Sequence, residues 1–339
     1  MRFTRVAAIT IAGLLAVSWT AIAVSNKARL LVAKNYFKHE RPDWNPMLAR
    51  LGILRQVRMQ VEPGVNLNPD PLDLISTEIL KHRIWQSNVW NSLSASLDEG
   101  AVLLDVGAHI GYFTLKGAAK VGPKGRVVSF EPNPETLAEL RGNVAASHAE
   151  SIVIVEPIAC SDRDRELTLY AARVWNTGGS SLSEQNTRGF DDVPKAYPVR
   201  GRPIDDVVRE LGLTRVDAVK IDVEGAEVSV LRGAIETLKR FHPKVVIEMD
   251  EHQLAGFGTK PQDLIDLFKT TGYNHSTPIG GDDWEWLGLG QENTFEAVRT
   301  ANVAQAAQLI SGFYGIEGDW RWAAKEFTIA LKIPKKPHP

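Results

Sequence analysis

One cysteine, Cys160, stands in a chain of 339 residues. A lone thiol excludes an intrachain disulfide and any zinc site built on cysteines. An excess of one charge sign is also lacking: 39 basic and 41 acidic side chains leave a formal net charge of −2. That balance argues against the broad basic footprint of a nucleic-acid binder, so no nucleic-acid partner is expected. No internal repeat is visible. Mixed charge and a hydrophobic share of 44% exclude global disorder. The length allows two domains or one large domain with additions, and it suffices to bury a core without staples.

The apolar residues are unevenly spread. Residues 6–24, VAAITIAGLLAVSWTAIAV, carry no charge over 19 positions. A helix of that length rises about 28 Å, close to the hydrocarbon thickness of a bilayer. A buried soluble helix is seldom apolar on every face. Two membrane readings remain: a signal peptide cleaved after the small-x-small triplet Ala21-Ile22-Ala23, and an uncleaved anchor. The length of the apolar stretch favours the anchor. Arg2 and Arg5 precede it, while Lys27, Arg29, Lys34, Lys38 and Arg41 follow it. Positive charge concentrates on the cytoplasmic side, so the expectation is a single-pass membrane protein whose following domain is cytoplasmic.

Residues 26–75 read as a membrane-proximal connector, with short helices around 47–59 and the breaker NPDPLD at 68–73. Residues 75–97 carry Ile79, Trp85, Val89 and Leu93 at helical spacing. From Val102 the rhythm changes. Short apolar runs at 102–106, 126–130, 151–155, 217–222 and 245–249 read as strands buried on both faces. Helices are expected at 112–120, 134–146, 226–239 and 261–271. This alternation indicates a parallel sheet of βαβ units. Residues 172–200 interrupt it with the polar run NTGGSSLSEQNTRG, too long for a simple connection and of the kind that forms functional lids. Gly178, Gly179, Ser180 and Ser181 are candidates for such a lid. Four of the nine tryptophans lie beyond Gly280, and the tail at 318–334 ends in an expected strand.

The strongest local motif is DVGAHIG at 105–111, after a strand and before a helix. Gly107 allows a sharp turn, and Gly111 lets the next helix pack close, so a ligand can approach main-chain N–H groups. Glu131 ends the next strand, where a carboxylate accepts from two ribose hydroxyls. The pattern suits an adenosine ligand, which leaves a nicotinamide dinucleotide and S-adenosylmethionine. Asp105 replaces the first glycine of the dinucleotide pattern. A carboxylate there repels a pyrophosphate and suits a cationic sulfonium with an amino-acid tail. Asp162 follows the third strand, where an acid can accept from an adenine amino group. KIDVEGAE at 220–227 sets Asp222 and Glu224 at the carboxyl end of a central strand, the edge where open α/β sheets bind ligands.

The stretch from about 100 to 298 resembles the FkbM-type S-adenosylmethionine-dependent methyltransferases. LLDVGAHIGYFT, VVSFEPNPET, the ACSD at 159–162, PIDDVV, VDAVKIDVEGAEVSVLRGA and PKVVIEM carry the resemblance. It implies a class I methyltransferase fold, Rossmann-like, with a seven-stranded, mainly parallel sheet, helices on both faces and a closing antiparallel hairpin. Residues 273–279 and 293–298 are the candidates for that hairpin. The division expected is an anchor or signal segment (1–25), the connector (26–75), the methyltransferase domain (76–300) and an aromatic C-terminal β extension (301–339).

The resemblance implies methyl transfer to oxygen from S-adenosyl-L-methionine, with no metal. The cofactor set is Asp105, Gly107, His109, Gly111, Glu131, Asp162 and Asp222. Attack by an alcohol needs in-line placement and removal of a proton. Asp222 and Glu224 lie at the right edge, and His252 and His109 titrate in the right range for a general base. The expected acceptor is a hydroxyl of a sugar, glycolipid or surface-polysaccharide precursor at the membrane. The competing readings are a non-catalytic scaffold of an envelope assembly and an NAD-dependent oxidoreductase. Oligomeric state is not legible.

Overall fold

The computed structural model describes residues 58–70, 73–172, 176–187 and 193–288. Residues 6–24, all but the last two positions of the helices expected around 47–59, and the aromatic tail at 301–339 lie outside the described residues. Among the described residues no helix is long and apolar enough to cross a membrane.

The chain enters as a hairpin, β1 (Met59–Glu62) and β2 (Val65–Leu67), turned at Gly64 with φ +81°. Met59, Val61, Val65 and Leu67 alternate inward and are buried, so the segment is part of the folded body. Helices α1 (Leu74–His82) and α2 (Ser87–Ser94) follow, separated where Arg83 and Gln86 take left-handed conformations. Then come β3 (Val102–Val106), α3 (Tyr112–Val121), β4 (Arg126–Phe130), α4 (Pro134–Ala146) and β5 (Val153–Glu156). A side sheet is built from β6 (Ala159–Cys160), β7 (Arg165–Ala171) and, after the one-turn α5 (Glu184–Thr187), β8 (Lys195–Arg202). The main sheet resumes through α6 (Ile204–Glu210), β9 (Ala218–Ile221), α7 (Glu227–Arg232), α8 (Ile235–Phe241) and β10 (Lys244–Glu248). It ends with α9 (Glu251–Ala255), α10 (Pro261–Thr270), β11 (His275–Gly280) and β12 (Asp283–Leu287).

The main sheet has seven strands in the order β11-β12-β10-β9-β3-β4-β5. β12 runs antiparallel to both neighbours, and the other pairings are parallel. This is the expected class I arrangement. The second strand of the closing hairpin is Asp283–Leu287, not 293–298. Trp286 explains the earlier return: its ring stacks on Phe268 of α10 with centroids 4.2 Å apart, fixing β12 over a buried aromatic. The helix expected over 226–239 is broken into α7 and α8. A Cβ at Gly233 would lie 2.0 Å from the Ser161 carbonyl oxygen, so the chain bends where it crosses the loop after β6.

Both faces of the sheet are covered. On one, Leu103, Val127 and Ala218 pack under α3, α4 and the β1–β2 hairpin; on the other, Leu104, Val128 and Ile221 pack under α6, α7 and α10. Strands β3 and β9 are neighbours in space, and the chain leaves them in opposite directions across the sheet. Their carboxyl ends therefore open a crevice that no connection crosses.

Candidate active site

Two glycines shape the loop at that crevice. Gly107 has φ +77°, and a Cβ on it would lie 1.9 Å from the Asp222 carbonyl oxygen. Gly111, at φ +91°, lets α3 start against Leu140. The amides of Gly107 and Ala108 donate to the Phe130 carbonyl (3.1 and 3.0 Å), hanging the loop from the end of β4. Glu131 latches it: one carboxylate oxygen accepts from the His109 amide (2.8 Å), the other from the Asn133 amide (2.9 Å). Burial pushes its carboxyl up to about 7, although both amides favour the charged form.

The cleft beneath this loop encloses about 540 Å³, partly open to solvent. Phe130, Ile158, Cys160, Leu169 and Val223 form an apolar wall. Gly107, His109, Glu131 and Asp222 supply its polar side. Cys160 is thus a wall residue, and burial drives its thiol well above the ordinary value. The strap at 176–187 reaches the cleft with Thr177, Ser180 and Leu182, so two of the lid candidates' neighbours and Ser180 itself meet the pocket.

Asp105 is fully buried and does not line the cleft. Its carboxylate accepts from the Thr114 hydroxyl at 2.6 Å and stands 3.9 Å from the Lys220 ammonium. Burial raises its pKa, against the pull of Lys220. Asp105 therefore acts on the site from below. Lys220, missed in the sequence, is the cation that joins the parts. It is buried on β9, opposite Asp105 in register, donates to the Gly107 carbonyl (3.0 Å) and pairs with Asp222 (3.2 Å). The available signal was a lysine inside an otherwise apolar strand, which must find partners when buried.

Beyond Lys220 the sheet edge is acidic. Glu224 takes φ +57°, a conformation costly for a side-chain-bearing residue, and its carbonyl is held by the Ser181 hydroxyl (2.8 Å) and the Asn186 amide (2.9 Å). Burial, then Asp222 and Glu227, push its carboxyl up to about 8. Glu248, at the end of β10, is pushed up to about 10 by burial and the same acids. Glu227 holds the loop from inside, accepting from the Val223 and Gly225 amides (3.1 and 3.2 Å). Asp222, Glu224 and Glu248 offer oxygens within 4.8 Å of one another, the set able to hold a metal ion among the described residues.

Two candidates stand apart. Asp162 does not line the cleft. Its carboxylate pairs with Arg165 (3.0 Å), and its main-chain amide donates to the Ser229 hydroxyl (3.2 Å). Burial is the largest single pull on Asp162 and is upward, but Arg165, Arg163 and the Ser161 and Ser229 hydroxyls together lower its pKa. His252 is exposed on the first turn of α9, with its main-chain amide bound to Asp250 (2.7 Å) and its side chain outside the cleft lining.

The Methyltransferase FkbM domain model matches residues 105–274, half of the chain. The chain belongs to the FkbM methyltransferase family. The FkbM cofactor is S-adenosylmethionine, which excludes the dinucleotide reading. The cleft fits that cofactor: an apolar wall for an adenine, Glu131 with lone pairs left for ribose hydroxyls, and an acidic edge for a sulfonium. Similar proteins include AMB antimetabolite synthetase AmbE of Pseudomonas aeruginosa, 30% identical over 79% of this chain. 2-O-methyltransferase NoeI of Sinorhizobium fredii is 30% identical over 41% of the chain. Hexuronic acid methyltransferase AglP of Haloferax volcanii is 25% identical over 54%. The chain spans 13%, 59% and 67% of the lengths of these three relatives.

Proposed function

We propose that this FkbM protein methylates a hydroxyl of a sugar, glycolipid or surface-polysaccharide precursor, with Glu224 as general base. The observation that carries the reading is Glu224 itself. It stands at the sheet edge beside the cleft, in a strained conformation held by three neighbours, with a pKa of about 8. A base whose pKa lies near working pH is half-ionised there and gains most from accepting the alcohol proton. Bound S-adenosylmethionine supplies an electrophilic methyl group on a sulfonium. Glu131 and the Gly107 turn bind and orient it. Asp222, fixed by Lys220 (3.2 Å), would place negative charge where the sulfonium would bind. The similar NoeI, a 2-O-methyltransferase, and AglP, a hexuronic acid methyltransferase, support oxygen and sugar as the target.

The uncharged run at 6–24 and its basic C-terminal flank support a single-pass anchor with the catalytic domain on the cytoplasmic side, where lipid-linked acceptors and cofactor coexist. The test uses the full chain in detergent with methyl-labelled cofactor and a panel of free and lipid-linked sugars. Label is expected in an O-methyl sugar. Glu224→Gln is expected to lower kcat by about 10²- to 10⁴-fold while S-adenosylhomocysteine affinity holds. Intact binding with no transfer to any hydroxyl would sink the acceptor class. A reporter after Pro339 active only outside the cytoplasm would sink the orientation.

A further inference from the structure

Three segments distant in sequence meet at one hydroxyl. Thr177 opens the strap over the cleft, and both its amide and its hydroxyl donate to the same oxygen of Asp73, at 2.9 and 2.8 Å. The other Asp73 oxygen accepts the Ser76 amide at 2.8 Å and caps α1. Asp73 is 2% exposed, so this carboxylate is committed to the protein and not to solvent. On the far side, Thr177 Oγ1 lies 2.7 Å from His109 Nε2.

The tautomer follows from counting hydrogens. A hydroxyl has one hydrogen, and a carboxylate that accepts on both oxygens takes it. Thr177 can then only accept from the imidazole, so Nε2 carries the hydrogen and Nδ1 the lone pair. Burial pulls His109 below its ordinary pKa, against the opposing charge of Asp73, which keeps the ring neutral near pH 7. The rest of the residue is fixed too. His109 has φ +51°, and its amide is held by Glu131. The strap packs closely on α1 at Gly178, where a Cβ would lie 2.4 Å from the Ile75 Cδ1.

We propose that Thr177 and Asp73 are positioning residues that fix His109 as a neutral Nδ1 acceptor for a hydroxyl or ammonium donor of the cofactor. The strap at 176–187 thereby completes the cofactor site instead of serving only the acceptor. His109 lines the cleft, and Nδ1 is its one ring atom left for a ligand. The arrangement resembles the base-orienting third group of hydrolytic triads in logic, with a threonine hydroxyl between the acid and the imidazole.

The test combines spectroscopy with binding on the full chain. Long-range ¹H–¹⁵N correlation of labelled protein, with His109 assigned by His109→Asn, is expected to show Nε2 protonated and Nδ1 bare. A wild-type Nδ1–H tautomer would overturn the proposal. Thr177→Val is expected to weaken S-adenosylhomocysteine binding about tenfold by calorimetry and to mix the tautomers, while Thr177→Ser stays within about twofold of wild type. A purely structural threonine would lower the melting temperature and leave ring signals and affinity unchanged, and that result also overturns it. In the His109→Ala/Thr177→Val double variant the losses should not add; additivity would mean that Thr177 acts independently of His109.

Discussion

Glu131 does two jobs with one carboxylate. It holds the cofactor loop through the His109 and Asn133 amides, and it faces the cleft. Only the ionised form accepts on every lone pair, and its pKa of about 7 places that form in the physiological range. Ribose hydroxyls bound at this carboxylate would make affinity follow its ionisation. S-adenosylhomocysteine affinity is expected to rise about tenfold between pH 6 and pH 8, measured by calorimetry. Glu131→Gln, which keeps the shape and removes the charge, is expected to cost about tenfold to a hundredfold in affinity at pH 8 and to flatten the profile. A profile unchanged in the glutamine variant would assign the titration to another group. Gly107 belongs to the same scale. Its freedom to take a positive φ under the Asp222 carbonyl lets the cofactor loop and the acceptor edge touch.

At the scale of elements, the site depends on joints that no pattern in the chain announces. Asn143 of α4 is completely buried; its side-chain oxygen accepts the Asn68 amide at 2.9 Å, and its NH₂ donates to the Ile110 carbonyl at 2.8 Å. One side chain thus ties the β1–β2 hairpin and the cofactor loop to the same helix. Asn143→Ala leaves the half-buried Asn68 amide and the buried Ile110 carbonyl without these partners. The expected loss is about 1–3 kcal/mol of unfolding free energy by urea titration, with weaker cofactor binding at unchanged secondary structure. A loss within ~0.5 kcal/mol would mean that water replaces the amide. Lys116 of α3 adds a second joint, pairing with Glu62 of the hairpin at 2.7 Å. These contacts explain why a segment that reads as linker is built into the catalytic body. Asn186 plays a similar part on the other side of the cleft, its NH₂ donating to both the Glu224 and the Gln253 carbonyls at 2.9 Å.

Across the molecule, raised carboxyl groups gather at one end of the sheet. Glu131 and Glu227 rise to about 7, Glu224 to about 8, Glu248 to about 10 and Asp283 to about 6, in each case chiefly through burial. A carboxyl whose folded pKa exceeds its unfolded value binds its proton more tightly when folded. Its contribution to stability is complete below the unfolded value and is lost as pH rises through the folded one. The cofactor-free protein is therefore expected to melt at progressively lower temperature from pH 5 to pH 9, followed by calorimetry. Lys220 moderates this by neutralising part of the cluster, and its own pKa is raised, with Asp222 and Asp105 prevailing over burial. A melting temperature that does not fall over the same range would show that these carboxyl pKa values are not raised in the fold.

The chain by itself determined the sheet, the loop and the edge. Apolar runs of strand length alternating with amphipathic stretches admit few solutions other than a parallel sheet between helices. DVGAHIG after a strand identifies the turn, because a Cβ at Gly107 would collide with the Asp222 carbonyl; KIDVEGAE places acids at the strand end because strand length is readable. These are local properties, set within a few residues. Tertiary structure decided which charged groups meet. Asp105 turned inward to Thr114 and Lys220, Asp162 to Arg165, and His252 to the outside, while Thr177 came to Asp73 across 104 positions. A side chain's role depends on its burial and on partners brought from other elements. Both arise only when the helices close on the sheet, so the fold was legible in the sequence while the wiring of its site was not.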